Sequence, residues 1–112
     1  MGTRPLRSAM ARAIVLYRSG AALEALREVV KARRNIPFDG RGLASDEALA
    51  LAETWEFQAA YDLSQDRLEG GLEDLAIAEQ ILEGWPEHDA HRRRISAEIA
   101  SHVRSRPAVP YR

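Results

Sequence analysis

Cysteine is absent from this chain of 112 residues, and so are long apolar runs. Without cysteine there is neither a disulfide framework nor a thiolate zinc site. A membrane-spanning helix needs about 18 consecutive apolar residues, whereas the apolar stretch near the start, residues 13–17 (AIVLY), ends at an arginine on both sides. That stretch is also too short for a good signal peptide. We therefore expect a cytoplasmic protein with no membrane association.

Motifs of metal and nucleophilic catalysis are missing as well. The sequence has no HExxH pattern, no nucleophile elbow around its serines and no glycine pattern that would cradle phosphate. His88 and His91 stand three residues apart with Asp89 between them, a spacing that can chelate a metal ion only if a third ligand arrives. The only other histidine, His102, lies three helical turns further on. We interpret these residues as surface histidines and expect no metal site.

Paired carboxylates are the other candidates for chemistry. Glu73 with Asp74 and Asp62 with Asp66 fall on amphipathic helical patterns, so they are interpreted as solvated faces rather than as acid–base pairs. We expect no enzyme activity and no cofactor.

Lysine is nearly absent too, and Lys31 is the only one in the chain. Abundant arginine and alanine are typical of a GC-rich bacterial genome. Residues 1–41 carry nine basic and three acidic side chains, residues 42–89 carry one and thirteen, and residues 90–112 carry six and one. Two basic ends thus flank an acidic middle. This pattern fits packing between helices of opposite charge, or alternatively a charged partner surface.

Residues 4–34 have the pattern of two antiparallel helices joined at Gly20. Glycine tolerates the positive φ that often follows a helix end. Before it, apolar residues recur at helical spacing on two adjoining faces. The second helix repeats this pattern, and its small residues allow the two backbones to approach closely. The residues assigned to the crossing are Ala9, Ala13, Leu16, Ala25 and Val29.

This unit resembles a tetratricopeptide repeat, a helix–turn–helix of about 34 residues. The resemblance covers residues 4–37 and rests on matches at Ala13, Leu16, Gly20, Glu24, Ala25, Leu26, Val29 and Pro37. It departs from the family pattern at Ala9, where the family has tryptophan, and at Arg12, where it has leucine. The segments LYRSG and EAL are also similar to the helical repeat domain of bacterial transcriptional activators. The resemblance implies a helical array with a concave binding surface.

The rest of the chain predicts three further helices. Ser45 is a suitable N-cap for a third helix that reaches about Asp66. Gly70 and Gly71 are expected to break the chain before a fourth helix, which Gly84 ends. Pro86 opens a fifth helix that ends near Ser105. We therefore predict an all-α fold, a five-helix antiparallel array of two tetratricopeptide-like hairpins with a C-terminal capping helix. It forms a single domain over residues 1–105, with a flexible tail over 106–112.

A partner surface is predicted on the concave side of this array. The first helix presents an apolar row with arginine at both ends, and the third helix adds an aromatic and an amide side chain. The predicted partner-binding residues are Arg7, Met10, Ile14, Tyr17, Arg18, Trp55 and Gln58. Such a surface suits a peptide or helix with acidic and apolar groups. Alternatively, the third and fifth helices cover the row of Met10, Ile14 and Tyr17.

Three functions follow from these patterns. The first is a small non-enzymatic adaptor for protein–protein interaction, which also forms a homodimer because a stack of two hairpins leaves apolar ends. The second is a regulatory or oligomerisation domain of a bacterial transcription regulator or conflict system. The third is direct nucleic-acid binding through arginines such as Arg92, Arg93 and Arg94, which is disfavoured because aromatic stacking partners are scarce nearby.

Overall fold

The computed structural model describes residues 4–105, with side chains from residue 6 onward, and within that range the protein is entirely helical. The predicted all-α fold with five helices is confirmed. The helices are α1 Arg4–Arg18, α2 Ala22–Arg33, α3 Ser45–Ser64, α4 Leu68–Glu83 and α5 Asp89–Ser105, with a 3₁₀ turn Pro86–His88 before α5. The predicted tail, residues 106–112, lies outside the described residues.

The first hairpin closes as its sequence pattern predicts. Gly20 has φ +92°, and the amide of Ala21 donates to the carbonyl of Leu16 at 2.8 Å. Ala13, Ala25 and Val29 form a cluster that is fully buried between α1 and α2. Because two of these three side chains are single methyl groups, they allow the two helices to approach closely.

The third helix is the centre of the array. It contacts both α1 and α2 on one side and α4 on another, while α5 packs against α4. The main core follows this arrangement and gathers its large buried side chains from four helices: Leu6, Leu51, Leu75, Leu82 and Ile95. The result is an elongated molecule of 57 × 34 × 21 Å.

The start of α3 differs from the predicted cap. Ala44, not Ser45, is the N-cap residue, and the Glu47 carboxylate accepts a hydrogen bond from the Ala44 amide at 3.2 Å. Ser45 is the first helical residue, and its hydroxyl oxygen lies 2.9 Å from Nε2 of His88. The Ser45 side chain therefore joins α3 to the 3₁₀ turn instead of capping its own helix.

The glycine pair does not break the chain, and that prediction was wrong. Gly70 and Gly71 lie inside α4, and the turn before it is centred on Asp66, which has φ +62°. A Cβ on Gly71 would lie 2.7 Å from both Cγ and Cδ2 of Leu63. An added methyl group would force the Leu63 side chain to move, so glycine suits the close approach of α3 and α4 at this position.

Alanine substitutions at the two glycines should distinguish the cost of overpacking from the gain in helix propensity. Gly71→Ala should destabilise the protein by roughly 1–3 kcal/mol through overpacking against Leu63, which exceeds the gain in helix propensity of up to about 1 kcal/mol. Gly70→Ala is the matched control, since its Cβ would come no closer than 3.4 Å to Asp62. It should be neutral or stabilising. Urea unfolding measures both, and equal effects would contradict close packing at Gly71.

Candidate interaction surface

The predicted apolar row on α1 is partly core and partly surface. Met10 is half-buried and packs against the cluster of small residues between α1 and α2. Ile14 remains 41% exposed and Tyr17 49% exposed. Within the described residues, therefore, α3 and α5 leave the C-terminal half of the row substantially exposed. Two large apolar side chains stand at the surface within one turn of α1.

An aromatic side chain from α3 extends this row. The rings of Tyr17 and Phe57 meet edge to face, with centroids 5.7 Å apart and planes at 77°. Such pairs contribute roughly 0.5–1.5 kcal/mol beyond the area they bury, so Phe57 fixes one edge of Tyr17 while the rest of the ring stays accessible. Phe57 was not among the predicted site residues. The signal for it was its place, with Tyr61, on a second apolar stripe of α3.

The two arginines that flank the row differ in their surroundings. Arg7 Nη1 lies 3.3 Å from Asp46 Oδ2 on α3, and both side chains are more than half exposed. An exposed pair of this kind adds little stability, but it partly neutralises Arg7. Arg18 is exposed and makes no ion pair within the described part of the chain. Arg18 is thus the flanking charge that is available to a partner.

The remaining predicted residues, Trp55 and Gln58, face α2 instead of α1. The guanidinium of Arg33 stacks on Trp55 with Cζ 3.6 Å from the ring centroid, and its Nη2 donates a hydrogen bond to Oε1 of Gln58. Phe38 meets the same indole edge to face with centroids 5.6 Å apart. The structure therefore divides the predicted surface into an α1 site around Tyr17 and a separate cluster around Arg33.

A second apolar surface is formed by α1 together with one residue of α2. It is a groove of about 420 Å³ lined by Ala11, Arg12, Val15, Leu16 and Glu28. Val15 is 67% exposed. Arg12 Nε lies 3.0 Å from Glu28 Oε1, so the charged pair at the groove wall is already satisfied. This groove was not predicted as a site, although Val15 belongs to the apolar stretch AIVLY.

His88 and His91 are half-buried and contact α3, so they are not free surface residues, which corrects that interpretation. His91 is half-buried, and its Nε2–H donates to Glu56 on α3 at 2.5 Å while its Nδ1 accepts from Arg94 at 3.1 Å. His88 Nε2 lies 2.9 Å from both oxygens of Ser45. Among the described residues, no group of three or more histidine, aspartate or glutamate side chains is arranged to hold a metal ion.

The arginine run on α5 is largely engaged within its own helix. Arg92 and Arg93 bind the two carboxylate oxygens of Asp89 at 2.7 and 2.8 Å. The hydrogen bond from Arg92 lowers the pKa of Asp89, and the neighbouring charges act in the same direction. The third arginine, Arg94, donates a hydrogen bond to Nδ1 of His91. An anion would have to compete with these contacts.

Asp74 is buried, which contradicts its interpretation as part of a solvated face. It is 6% exposed on the side of α4 that faces Asp62 of α3. Burial first, then the hydrogen bond to Asp62 and the nearby negative charges, raise the pKa of Asp74 to about 7. Burial also lowers the pKa of Arg33 to about 10. Arg33 and Asp74, from different hairpins, are thus close enough for each charge to affect the pKa of the other, although no ion pair joins them among the described residues.

Comparisons with models of protein families, with curated proteins and with solved structures found no match to this chain. None of the helices in residues 4–105 combines the length and the apolar character needed to cross a lipid bilayer. Support for a function therefore comes from the chain's own residues and contacts.

Asp74 should make the stability of the protein depend on pH. Its pKa in the folded chain, about 7, lies above the ordinary value of 3.8, so the folded state holds a proton that the unfolded state releases. The corresponding stabilisation is complete below about pH 4 and is lost as the pH rises to about 7. Relative to wild type, Asp74→Asn should gain stability from pH 5 to pH 8.

Urea unfolding at the two pH values measures this difference. Glu73→Gln, which removes a negative charge from the exposed face of the same helix, should produce a much smaller pH-dependent difference. A gap between Asp74→Asn and wild type that stays constant from pH 5 to pH 8 would refute the role of Asp74.

Proposed function

We propose that this chain is a non-enzymatic protein–protein interaction module that binds a peptide or helix carrying acidic and apolar groups. The observation that carries the proposal is the exposure of Ile14 and Tyr17 beside Phe57, next to Arg18, which makes no ion pair with any residue that the structure describes. Large apolar side chains clustered at a surface are a feature of interaction sites. Tyrosine and arginine are also enriched among the residues that dominate binding energies.

The arrangement of the hairpins supports a tetratricopeptide-like interpretation of this module. Small residues are buried at the α1–α2 crossing, and α3 contacts both helices of the first hairpin, as expected for successive units of a helical array. In such an array the first helix of each hairpin lines the concave surface, which supports a site between α1 and α3. A bacterial origin and a cytoplasmic location remain predictions from composition.

The alternative functions have weaker support. A regulatory or oligomerisation role in a transcription regulator or conflict system would use the same surfaces with an effector domain elsewhere. Nucleic-acid binding is disfavoured because Arg92 and Arg93 already share Asp89. If DNA binding is observed, a steep decrease in affinity with salt would support that alternative.

A double substitution tests the α1 site. Peptides selected from a displayed random library against the wild-type protein should be enriched in acidic and apolar residues. Tyr17→Ala combined with Arg18→Glu should weaken their binding at least about tenfold, equivalent to about 1.4 kcal/mol. Fluorescence anisotropy with labelled peptides measures the affinity. Val30→Ala combined with Arg27→Glu is the matched control, since it makes the same kinds of change on the exposed surface of α2.

Two outcomes would contradict the site. If both double variants weaken binding equally, the loss of affinity comes from the change in overall charge and not from a site on α1. If circular dichroism shows that the α1 variant unfolds while the control stays helical, the row belongs to the core and carries no partner.

We also propose a homodimer formed through the outer groove at Val15. This groove lies at the end of the array, where a helical stack exposes apolar surface unless it is capped. Its wall charges, Arg12 and Glu28, neutralise each other within one chain, so the same surface on two copies can meet without a net repulsion between like charges. An interface related by two-fold symmetry needs such self-complementarity.

Sedimentation equilibrium tests the dimer. Wild type should show a reversible dimer, and Val15→Glu should be monomeric at the same concentration with unchanged helicity, because a charge in the groove opposes burial. Val103→Glu, at an exposed valine on α5, is the control and should stay dimeric. A monomeric wild type at high protein concentration would remove this proposal.

A further inference from the structure

The cluster around Arg33 contains two buried polar atoms that other groups leave unsatisfied. Arg33 covers the face of Trp55 and binds Gln58 through Nη2, but its Nη1 is buried with no hydrogen-bond acceptor among the described residues. On α4, Oδ2 of Asp74 is buried with no hydrogen-bond donor in the same set of residues. Unpaired buried polar atoms are costly, and each one calls for an explanation.

The groups facing Asp74 explain its unpaired oxygen. Arg33 faces it from α2 and Asp62 from α3, while Glu73 is its neighbour on α4. Asp62 is already held by Arg67, with Nη2 and Nε both 3.2 Å from Oδ1. Two adjacent carboxyl groups resist ionising together. The proton therefore belongs on Asp74, where it provides the hydrogen bond between the two carboxyl groups.

Loss of the Asp74 proton changes the electrostatic forces that act on Arg33. Asp74 then carries a negative charge beside Asp62, which repels it, and opposite Arg33, which attracts it. The attraction is strong because the region is shielded from water. Arg33 makes no ion pair with Asp74 among the described residues, so its guanidinium has to move for Nη1 to reach Asp74, and this movement takes it away from Trp55 and Gln58.

We propose that Asp62, Asp74 and Arg33 form a proton-controlled latch between the two hairpins, in which deprotonation of the aspartate pair draws Arg33 towards Asp74 and uncovers Trp55 and Gln58. The pKa of about 7 for Asp74 sets the transition near neutral pH. The latch itself is independent of any partner. Its consequence for binding rests on the proposed function and on a partner that extends beyond the α1 site, because Trp55 and Gln58 were predicted to contact a partner but lie in the separate cluster around Arg33.

Trp55 fluorescence tests the latch directly. In a Trp85→Phe background Trp55 is the only tryptophan. As the pH rises from 5 to 9, its emission should shift to the red with a midpoint near 7, because the ring loses its guanidinium cover and gains water. Asp74→Asn should abolish the transition. Asp62→Asn should move the midpoint to lower pH, because it removes the neighbouring charge and its amide can donate to the ionised Asp74.

A histidine variant separates this transition from the titration of other groups. His91→Gln changes a ring that contacts Glu56 and Arg94, not Asp74, so it should leave the Trp55 transition unchanged. If Trp85→Phe does not fold, the indole N–H resonance of Trp55 in the wild-type protein gives the same titration by NMR. A Trp55 signal that is constant from pH 5 to 9, or that titrates identically in Asp74→Asn, overturns the latch.

A binding titration separates the latch from the proposed function. The affinity of a library-selected peptide should change across pH 7 in wild type and be constant in Asp74→Asn. A Trp55 transition with no accompanying change in affinity would leave the latch in place and refute its role in partner binding. Absence of any selected peptide would count against the proposed function alone.

Discussion

Close approach between helices, made possible by small residues, is the constraint on which the rest of this structure depends. Eight of the fifteen buried apolar residues in the described chain are alanines, and Gly71 allows α4 to pack closely against α3. Alanine buries little apolar area, so stability comes from dense contact between backbones more than from large side chains. Any residue that widens such a crossing therefore acts on the whole array.

A core of small residues has a consequence for the surface. The large apolar side chains Ile14, Val15, Tyr17 and Phe38 are all at least 41% exposed and lie outside the close crossings of small residues. Single exposed apolar residues are ordinary in soluble proteins. Three of these, however, lie within one turn of α1, and they face two different surfaces of that helix. The crowded interior and the apolar exterior of α1 are thus two results of the same packing.

The sequence alone was sufficient to predict the structural features that depend on local pattern. Apolar residues at helical spacing predicted all five helices, and Gly20 marked the first turn because its positive φ is a local requirement. The glycine pair was misread, since a glycine in a turn and a glycine at a close crossing look alike until the opposing residue, Leu63, is known. Within the predicted site, helical spacing brought Ile14 and Tyr17 together correctly. It could not show that Trp55 faces α2, because that depends on how α3 crosses the first hairpin.

The charge pattern along the sequence likewise does not show which charged residues the fold brings together. The basic start and acidic middle of the chain meet at Arg7–Asp46 and face each other across the hairpins at Arg33 and Asp74, which accounts for part of the charge pattern as internal packing. Arg18, Arg27 and Lys31 nevertheless make no ion pair within residues 4–105. The first hairpin consequently keeps an excess of positive charge on its surface. Because an acidic partner would be attracted to that excess while the apolar row supplied short-range contacts, charge would govern the rate of encounter and Tyr17 the lifetime of the complex.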